Sequence, residues 1–306
     1  MENILVIGSI NMDLVIDVDH IPKIGETILS DTVTKFHGGK GANQAVAIGK
    51  LGGSVKIIGK LGKDENGKEL IEGLKENNVG ISNILFDSNE PSGLASIYVD
   101  KNGDNCIIVN SNSNKKLSCT DIKDCVEAFE DINYCVMQLE IPLEVVEYTV
   151  DYCHKKGIKT ILNPAPAQKL SKEVLSKIDY LIPNETELEL LTGNSIKDYK
   201  DITNAMNELH NLGVKNIITT IGHKGSVYSN GKEIKFFQAI KVNAVDATAA
   251  GDSFIGAFVT SLSQGKDEIE AIEYSSYVGA LTVSKKGAQT SLPSKEEVEK
   301  FISQYK

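Results

Sequence analysis

Two carboxylates, Asp246 and Asp252, bracket a run of small residues in the stretch VDATAAGDSFIGAF, residues 245–258. Asp252 stands where an apolar helix, residues 254–262, is about to begin, and Thr248, Ala249, Ala250 and Gly251 before it carry little side chain. The first N–H groups of a helix have no partner within it, and the helix dipole makes that end attractive to anions. Small side chains let an oxyanion or a phosphoryl group reach those N–H groups. A carboxylate at the same point can accept a proton from an attacking hydroxyl. A lone acid at a helix start also complements the dipole, but that role leaves the run of small residues unexplained.

Further polar motifs follow apolar runs. GSINMD (8–13) puts Asn11 and Asp13 just past a strand, where they can hydrogen-bond the hydroxyls of a small polyol; turns favour Asn and Asp in any case. FHGGKGANQAVAIGKLG (36–52) sets Gly39, Lys40 and Gly41 at the start of a helix, with Ala42 and Asn43 in its first turn. Glycines there allow close backbone approach to a ligand, and the third glycine of the dinucleotide fingerprint is missing. GKDENGK (62–68) has the G-x-x-x-x-G-K spacing, but Glu69 follows where a P-loop needs Ser or Thr, so it reads as a solvated turn. MQLE (137–140), NPAPA (163–167) and NETE (184–187) each follow an apolar run, which gathers Glu140, two prolines and the N-cap residue Asn184 on one sheet edge. TIGHKG (220–225) is either a hairpin turn or a loop touching nucleotide phosphates, with His223 an exposed side chain.

The 306 residues carry a net charge of −10 and a pI near 5.1, which argues against nucleic acid or an anionic membrane as partner. All 32 basic residues are Lys, so phosphate chemistry here must use Lys, backbone N–H groups and metal ions. Five cysteines without a C-x-x-C indicate neither a disulfide framework nor a zinc site, and suit a reduced, cytoplasmic chain. The first residues lack the basic start and long apolar run of a signal peptide, and no stretch approaches membrane-spanning length.

These residues need elements to hold them. Strand-like runs at 4–7, 55–58, 134–139, 159–162, 180–182 and 216–220 alternate with helical periodicity at 42–51, 67–77, 143–155 and 202–212, and three more helical segments follow Gly251. That alternation predicts an α/β fold with a central, mostly parallel sheet flanked by helices. Residues 14–36 and 94–110 break it. They read as strands without helices, LASIYVDKNGDNCIIV being a hairpin turning at Asn102-Gly103. The expected division is an α/β core of residues 1–13, 37–93 and 111–306 and a small β lid of residues 14–36 and 94–110. SNSNKK (111–116) is the most linker-like piece.

Taken together, GSINMD, GGKGANQA, MQLE, NPAPA, PNETE, TIGHKG, DATAAGDSF and KKGAQTSLP resemble, over nearly the whole chain, the ribokinase-like (PfkB) carbohydrate kinases, and within them the branch acting on ribose. The resemblance implies transfer of phosphate from ATP to the 5-hydroxyl of D-ribose, with Asp252 as base and the N–H groups of Ala249, Ala250 and Gly251 as anion hole. It implies sugar contacts at Asn11, Asp13, Gly39, Lys40, Gly41, Ala42, Asn43, Glu140 and Asp252. It places ATP, with Mg²⁺, against Asn184, Thr220, Ile221, Gly222, His223, Lys224, Gly225, Gly251, Asp252 and Ser276. It puts a monovalent cation, usually K⁺, among Asp246, Thr248, Thr282, Lys285, Gly287 and Ser291, and a homodimer through the β lids. Ala247 departs from the Thr frequent in the family and removes one hydroxyl near that cation. Kinases of 2-deoxyribose, another sugar or a nucleoside, a sugar-binding regulator without activity, and a NAD-dependent enzyme are the alternatives. The missing fingerprint weighs against the last.

Overall fold

The segment NILVI forms the central strand because its apolar, mostly β-branched side chains suit a position covered on both faces. Ile4 to Ile7 are all fully buried. The computed structural model describes residues 3–30 and 32–305. Its first part comprises β1 Asn3–Ile7, β2 Asn11–Asp17, β3 Thr32–Gly38, α1 Lys40–Lys50, β4 Val55–Gly62, α2 Glu65–Glu76, β5 Val79–Gly80, β6 Ile84–Asp87, β7 Gly93–Val99 and β8 Asn105–Asn110. Next come α3 Cys119–Asp124, β9 Ile132–Met137, α4 Leu143–Lys156, β10 Lys159–Leu162, α5 Lys172–Leu175, β11 Tyr180–Leu181, α6 Glu185–Thr192 and α7 Tyr199–Asn211. The last part holds β12 Asn216–Thr220, β13 Gly225–Ser229, β14 Ile234–Gln238, α8 Ala250–Ser263, α9 Glu268–Val283 and α10 Lys295–Tyr305.

The fold is α/β. One sheet runs β14-β13-β12-β11-β10-β9-β1-β4-β5, with β6 also on β4. It is parallel except at β12-β13-β14. Side chains alternate across a strand. Ile4 and Val6 therefore belong to one core layer with Ile48 of α1 and Phe258 of α8, and Leu5 and Ile7 to the other with Val146 of α4 and Leu209 of α7. A separate four-stranded sheet, β3-β2-β7-β8, carries the hairpin expected at Asn102-Gly103. Asn11 and Asp13 are already part of it, on β2. Among the described residues no helix is long and apolar enough to cross a membrane.

Two local readings are corrected. SNSNKK is not a linker: residues 112–116 form a 3₁₀ helix whose Asn114 is 1% exposed. Asn114 braces the entry to β2, accepting from the Ile10 N–H at 3.0 Å and donating to the Ile10 carbonyl at 3.2 Å. GKDENGK is not a solvated turn. It joins β4 to α2, with Asp64 as N-cap accepting from Gly67 N–H at 2.8 Å and from Ser92 N–H at 2.8 Å.

Candidate functional site

The sugar-side residues sit where two glycine-bearing segments cross. Gly39 has φ of 87°, and a Cβ there would lie 2.7 Å from Asn11 N and 2.9 Å from the Ile10 Cα. Only glycine lets the start of α1 lie against the GSIN segment. The Ala42 N–H donates to the Ser9 carbonyl at 2.9 Å, and the Gly41 N–H to the Ser9 hydroxyl at 3.4 Å. Ala42 is fully buried, so it shapes the loop rather than presenting a contact. Ser9 hydroxyl and Lys40 N–H both donate to Glu140 Oε2. Asn11 Oδ1 accepts from Asn114 Nδ2 at 2.7 Å, an orientation that turns the Asn11 amide nitrogen the other way.

Charge is concentrated here. Asp13 is 8% exposed, and its carboxyl is raised to about 7 by burial, then by the carboxylates of Glu140 and Asp252, against the lowering effect of Lys40. Lys40 is held above its ordinary value by Asp252 first, then by Glu140, Glu187 and Asp13, with burial opposing. One ammonium therefore faces four carboxylates.

The helix α8 starts without a side-chain cap. Its N-cap residue is Ala249, in the left-handed region at φ 59°, and no side chain caps the N–H groups of the first turn. The contrast with α6 and α9 is informative: those have complete capping boxes, Asn184 with Glu187 and Asp267 with Glu270. The N–H groups of Ala249, Gly251 and Asp252 meet no acceptor among the described residues, whereas Ala250 N–H donates to the Ala247 carbonyl at 3.2 Å. A Cβ on Gly251 would meet nothing within 4 Å, so the approach to these donors is open. Asp252, 6% exposed, accepts from Asn43 Nδ2 at 3.0 Å and Gln44 Nε2 at 2.9 Å.

On the expected nucleotide side, Asn184 and Thr220 form a parallel bridge. Glu187 fixes Asn184, taking its N–H and its Nδ2 at 2.9 Å each and returning its own N–H to Asn184 Oδ1 at 2.8 Å. Burial lifts the Glu187 carboxyl, with the Asn184 N–H and Lys40 opposing. Residues 222–224 make a 3₁₀ turn between the antiparallel strands β12 and β13, closed by Ile221 N–H on the Gly225 carbonyl at 2.8 Å, with Gly222, His223 and Lys224 exposed. Ser276 lies on α9, gives its hydroxyl to the Ile272 carbonyl and is outside the cleft described below.

The residues expected around a cation form a loop cluster. Asp246 accepts from Thr248 N–H at 2.8 Å, Thr248 hydroxyl at 2.6 Å and Gly287 N–H at 2.9 Å. Burial would raise its carboxyl, but these donors hold it below the ordinary value. Val245 and Asp246 give their N–H groups to the Val283 carbonyl, and Lys285 N–H bonds the Thr282 carbonyl. The hydroxyls of Thr282 and Ser291 are spent on the Val278 and Ala288 carbonyls, and the Lys285 ammonium is drawn to Glu297 at 2.6 Å. The Lys285 side chain therefore offers nothing to a cation, whereas the Thr282 and Ser291 hydroxyl oxygens keep their lone pairs.

A cleft of about 200 Å³ is lined by Lys40, Asn163, Asn184, Glu187, Thr220, Ala247, Ala249, Ala250, Gly251 and Asp252, among others. It joins the open start of α8 to the Asn184–Thr220 edge, and Lys40 and Asp252 connect it to the Asp13–Glu140 cluster. Reading the sequence missed Ser9, Gln44, Asn114, Gln138 and Glu187. Glu187 was legible as the third residue after an N-cap Asn. Gln44 and Gln138 lay inside quoted motifs without a stated role.

This arrangement is that of a kinase acting on a small polyol, and a family model described as pfkB family carbohydrate kinase matches residues 1–295: the chain belongs to that family. The chain is 39% identical over 301 residues to the ribokinase of Haemophilus influenzae, covering 98% of each. It is 37% identical over 302 residues to the deoxyribokinase of Salmonella typhi, covering 98% of this chain and 99% of that one. The structure of Arabidopsis thaliana ribokinase complexed with ribose and ATP superposes with a TM-score of 0.92 at 32% identity, covering 99% of both chains.

Proposed function

We propose that this chain transfers the γ-phosphoryl group of ATP to the 5-hydroxyl of D-ribose, giving ADP and D-ribose 5-phosphate. The observation that carries the reading is the buried Asp252 carboxylate beside free N–H groups at the uncapped start of α8, in one cleft with Lys40. The ribokinases among its relatives support ribose as acceptor. Asn11, Asp13, Gly39, Lys40, Gly41, Asn43 and Glu140 hold the sugar so that its 5-hydroxyl faces Asp252. Asp252 takes that proton as the oxygen attacks phosphorus. The N–H groups of Ala249 and Gly251 receive the charge on the transferred oxygens. Ala250 joins them only by releasing the Ala247 carbonyl. With no Arg in the chain, the cations of the site are lysines, and Lys40 lines the cleft.

ATP lies against Asn184, Thr220 and the 221–225 turn. Mg²⁺ bound with ATP would neutralise phosphate charge, and the carboxylates of Glu187 and Asp252 line the same cleft. The Asp246 carboxylate and the oxygens of Thr248, Thr282, Lys285, Gly287 and Ser291 are a hard, all-oxygen donor set that suits K⁺, which would hold the 246–251 loop in shape. The β2-β3-β7-β8 sheet is the lid. Val33, Ile107, Ile108 and Val109 are exposed on it, which supports pairing of two lids in a homodimer. Five free thiols, two of them fully buried, suit a cytoplasmic enzyme.

The similarity to a deoxyribokinase favours one second reading, 2-deoxyribose as acceptor. Measuring kcat/KM for ribose and 2-deoxyribose decides between them. Ribose is expected to be the better substrate, and a clear preference for deoxyribose overturns the assignment.

A further inference from the structure

The catalytic carboxylate is aimed from behind by side chains outside the cleft. Asp252 Oδ1 accepts from Gln44 Nε2 at 2.9 Å, and Oδ2 accepts from Asn43 Nδ2 at 3.0 Å. Gln44 is fully buried and does not line the cleft, whereas Asp252 does. Oδ1 thus points into the protein, and Oδ2 lies on the side of Asn43, in the sugar-binding set. The Gln44 amide has one way round. Its Oε1 accepts from Gln138 Nε2 at 2.7 Å, while its Nε2 serves both Asp252 and Asn163 Oδ1, the latter at 3.3 Å. Turned over, it would set oxygen against the Asp252 carboxylate and nitrogen against the nitrogen of Gln138.

Gln138 follows β9 and is also fully buried. Its Oε1 has no hydrogen-bond partner among the described residues and occupies the space a side chain on Gly8 would need, 2.1 Å from that Cβ position. A buried acceptor left without a partner is destabilising. The arrangement gains a donor aimed at Gln44, and through it at Asp252. Three separate elements, the end of β9, α1 and α8, are chained by these amides.

We propose that Gln44 is the positioning residue of the base, with Gln138 setting the direction of its amide. Together they tie down Oδ1 and leave Oδ2 to take the proton of the attacking hydroxyl. The inference rests on the kinase reading above. Gln44→Met and Gln138→Met keep length and remove the hydrogen bonds. Each variant and the double variant are assayed for kcat and KM with saturating ATP and Mg²⁺, and ribose affinity is measured separately by calorimetry.

Gln44→Met is expected to lower kcat about 10- to 100-fold, the effect of losing a hydrogen bond to a charged group, with ribose affinity little changed. Gln138→Met loses less, and in the Gln44→Met background it loses nothing more, because its only route to Asp252 is through Gln44. A kcat within about 2-fold of wild type in Gln44→Met, or losses that multiply in the double variant, overturns the proposal. Should Gln44→Met fail to fold, Gln138→Met decides alone: reduced kcat at unchanged ribose affinity supports the relay, and unchanged kcat overturns it. Absence of ribose phosphorylation in the wild-type protein overturns the kinase reading itself.

Discussion

Replacing Asp13 with Asn tests the electrostatics of the sugar end. In the folded, ligand-free protein the Asp13 carboxyl ionises near pH 7 instead of the ordinary 3.8, chiefly because it is buried and then because Glu140 and Asp252 are close. Between those values the folded state keeps a proton that the unfolded chain has released. Stability contributed by that proton is fully present below pH 4 and is lost as pH rises through 7. A shift of this size corresponds to roughly 4 kcal/mol in all, of which about 2 kcal/mol falls between pH 5.5 and 8.5. Asn keeps the shape and cannot ionise. Urea unfolding of both proteins without ligands, at pH 5.5 and 8.5, measures the difference. Asp13→Asn is expected to gain about 2 kcal/mol relative to wild type across that interval and to be the more stable protein at the higher pH. Parallel pH profiles would show that the folded protein solvates this carboxylate well and would refute the reasoning.

Three further outcomes follow from the same geometry. Asp252→Asn is expected to lower kcat by roughly 10²- to 10⁴-fold with ribose still bound, since the base is lost and the shape kept; turnover like wild type removes Asp252 from that role. Gly251→Ala should leave the melting temperature nearly unchanged, because a Cβ there meets nothing within 4 Å, yet depress kcat by crowding the free N–H groups; equal losses of stability and activity, or none of either, contradict an open anion site. Asn114→Ala removes hydrogen bonds to Ile10 and Asn11 and is expected to raise the KM for ribose about 10-fold or more through misplacement of Asn11, read by steady-state kinetics with the melting temperature as control. A KM unchanged in a folded variant shows that Asn11 needs no brace.

Much of the frame was legible because it rests on local rules. Strands such as residues 4–7, 159–162 and 216–220 are short runs rich in β-branched residues, and three successive strands end in polar loops on one edge, as neighbours β9, β10 and β11. The short β5 and β6 carry too few residues for a period to register. Asp252 was legible because its surroundings are local: small residues before it, an apolar helix after it. Gln44 was not, because its partner lies 208 positions away. Asn114 was hidden for the same reason, 104 positions from Ile10, inside a segment whose composition reads as linker. The run Ala249-Ala250-Gly251 suggested three free donors, but a turn within the run engages the Ala250 N–H. Side-chain size is written in the sequence, whereas the closing of a turn depends on backbone angles such as the φ of 59° at Ala249.

The central claim is a ribose-dependent phosphoryl transfer from the open start of α8. Coupled ADP release, measured with ATP and Mg²⁺, with and without ribose, in K⁺ and in a large organic cation, tests it most directly. ADP release is expected to depend on ribose and to be stimulated by K⁺. Ribose-dependent release indifferent to K⁺ would keep the kinase and remove the cation from the Asp246 loop. ADP release no faster with ribose than without it would contradict the claim.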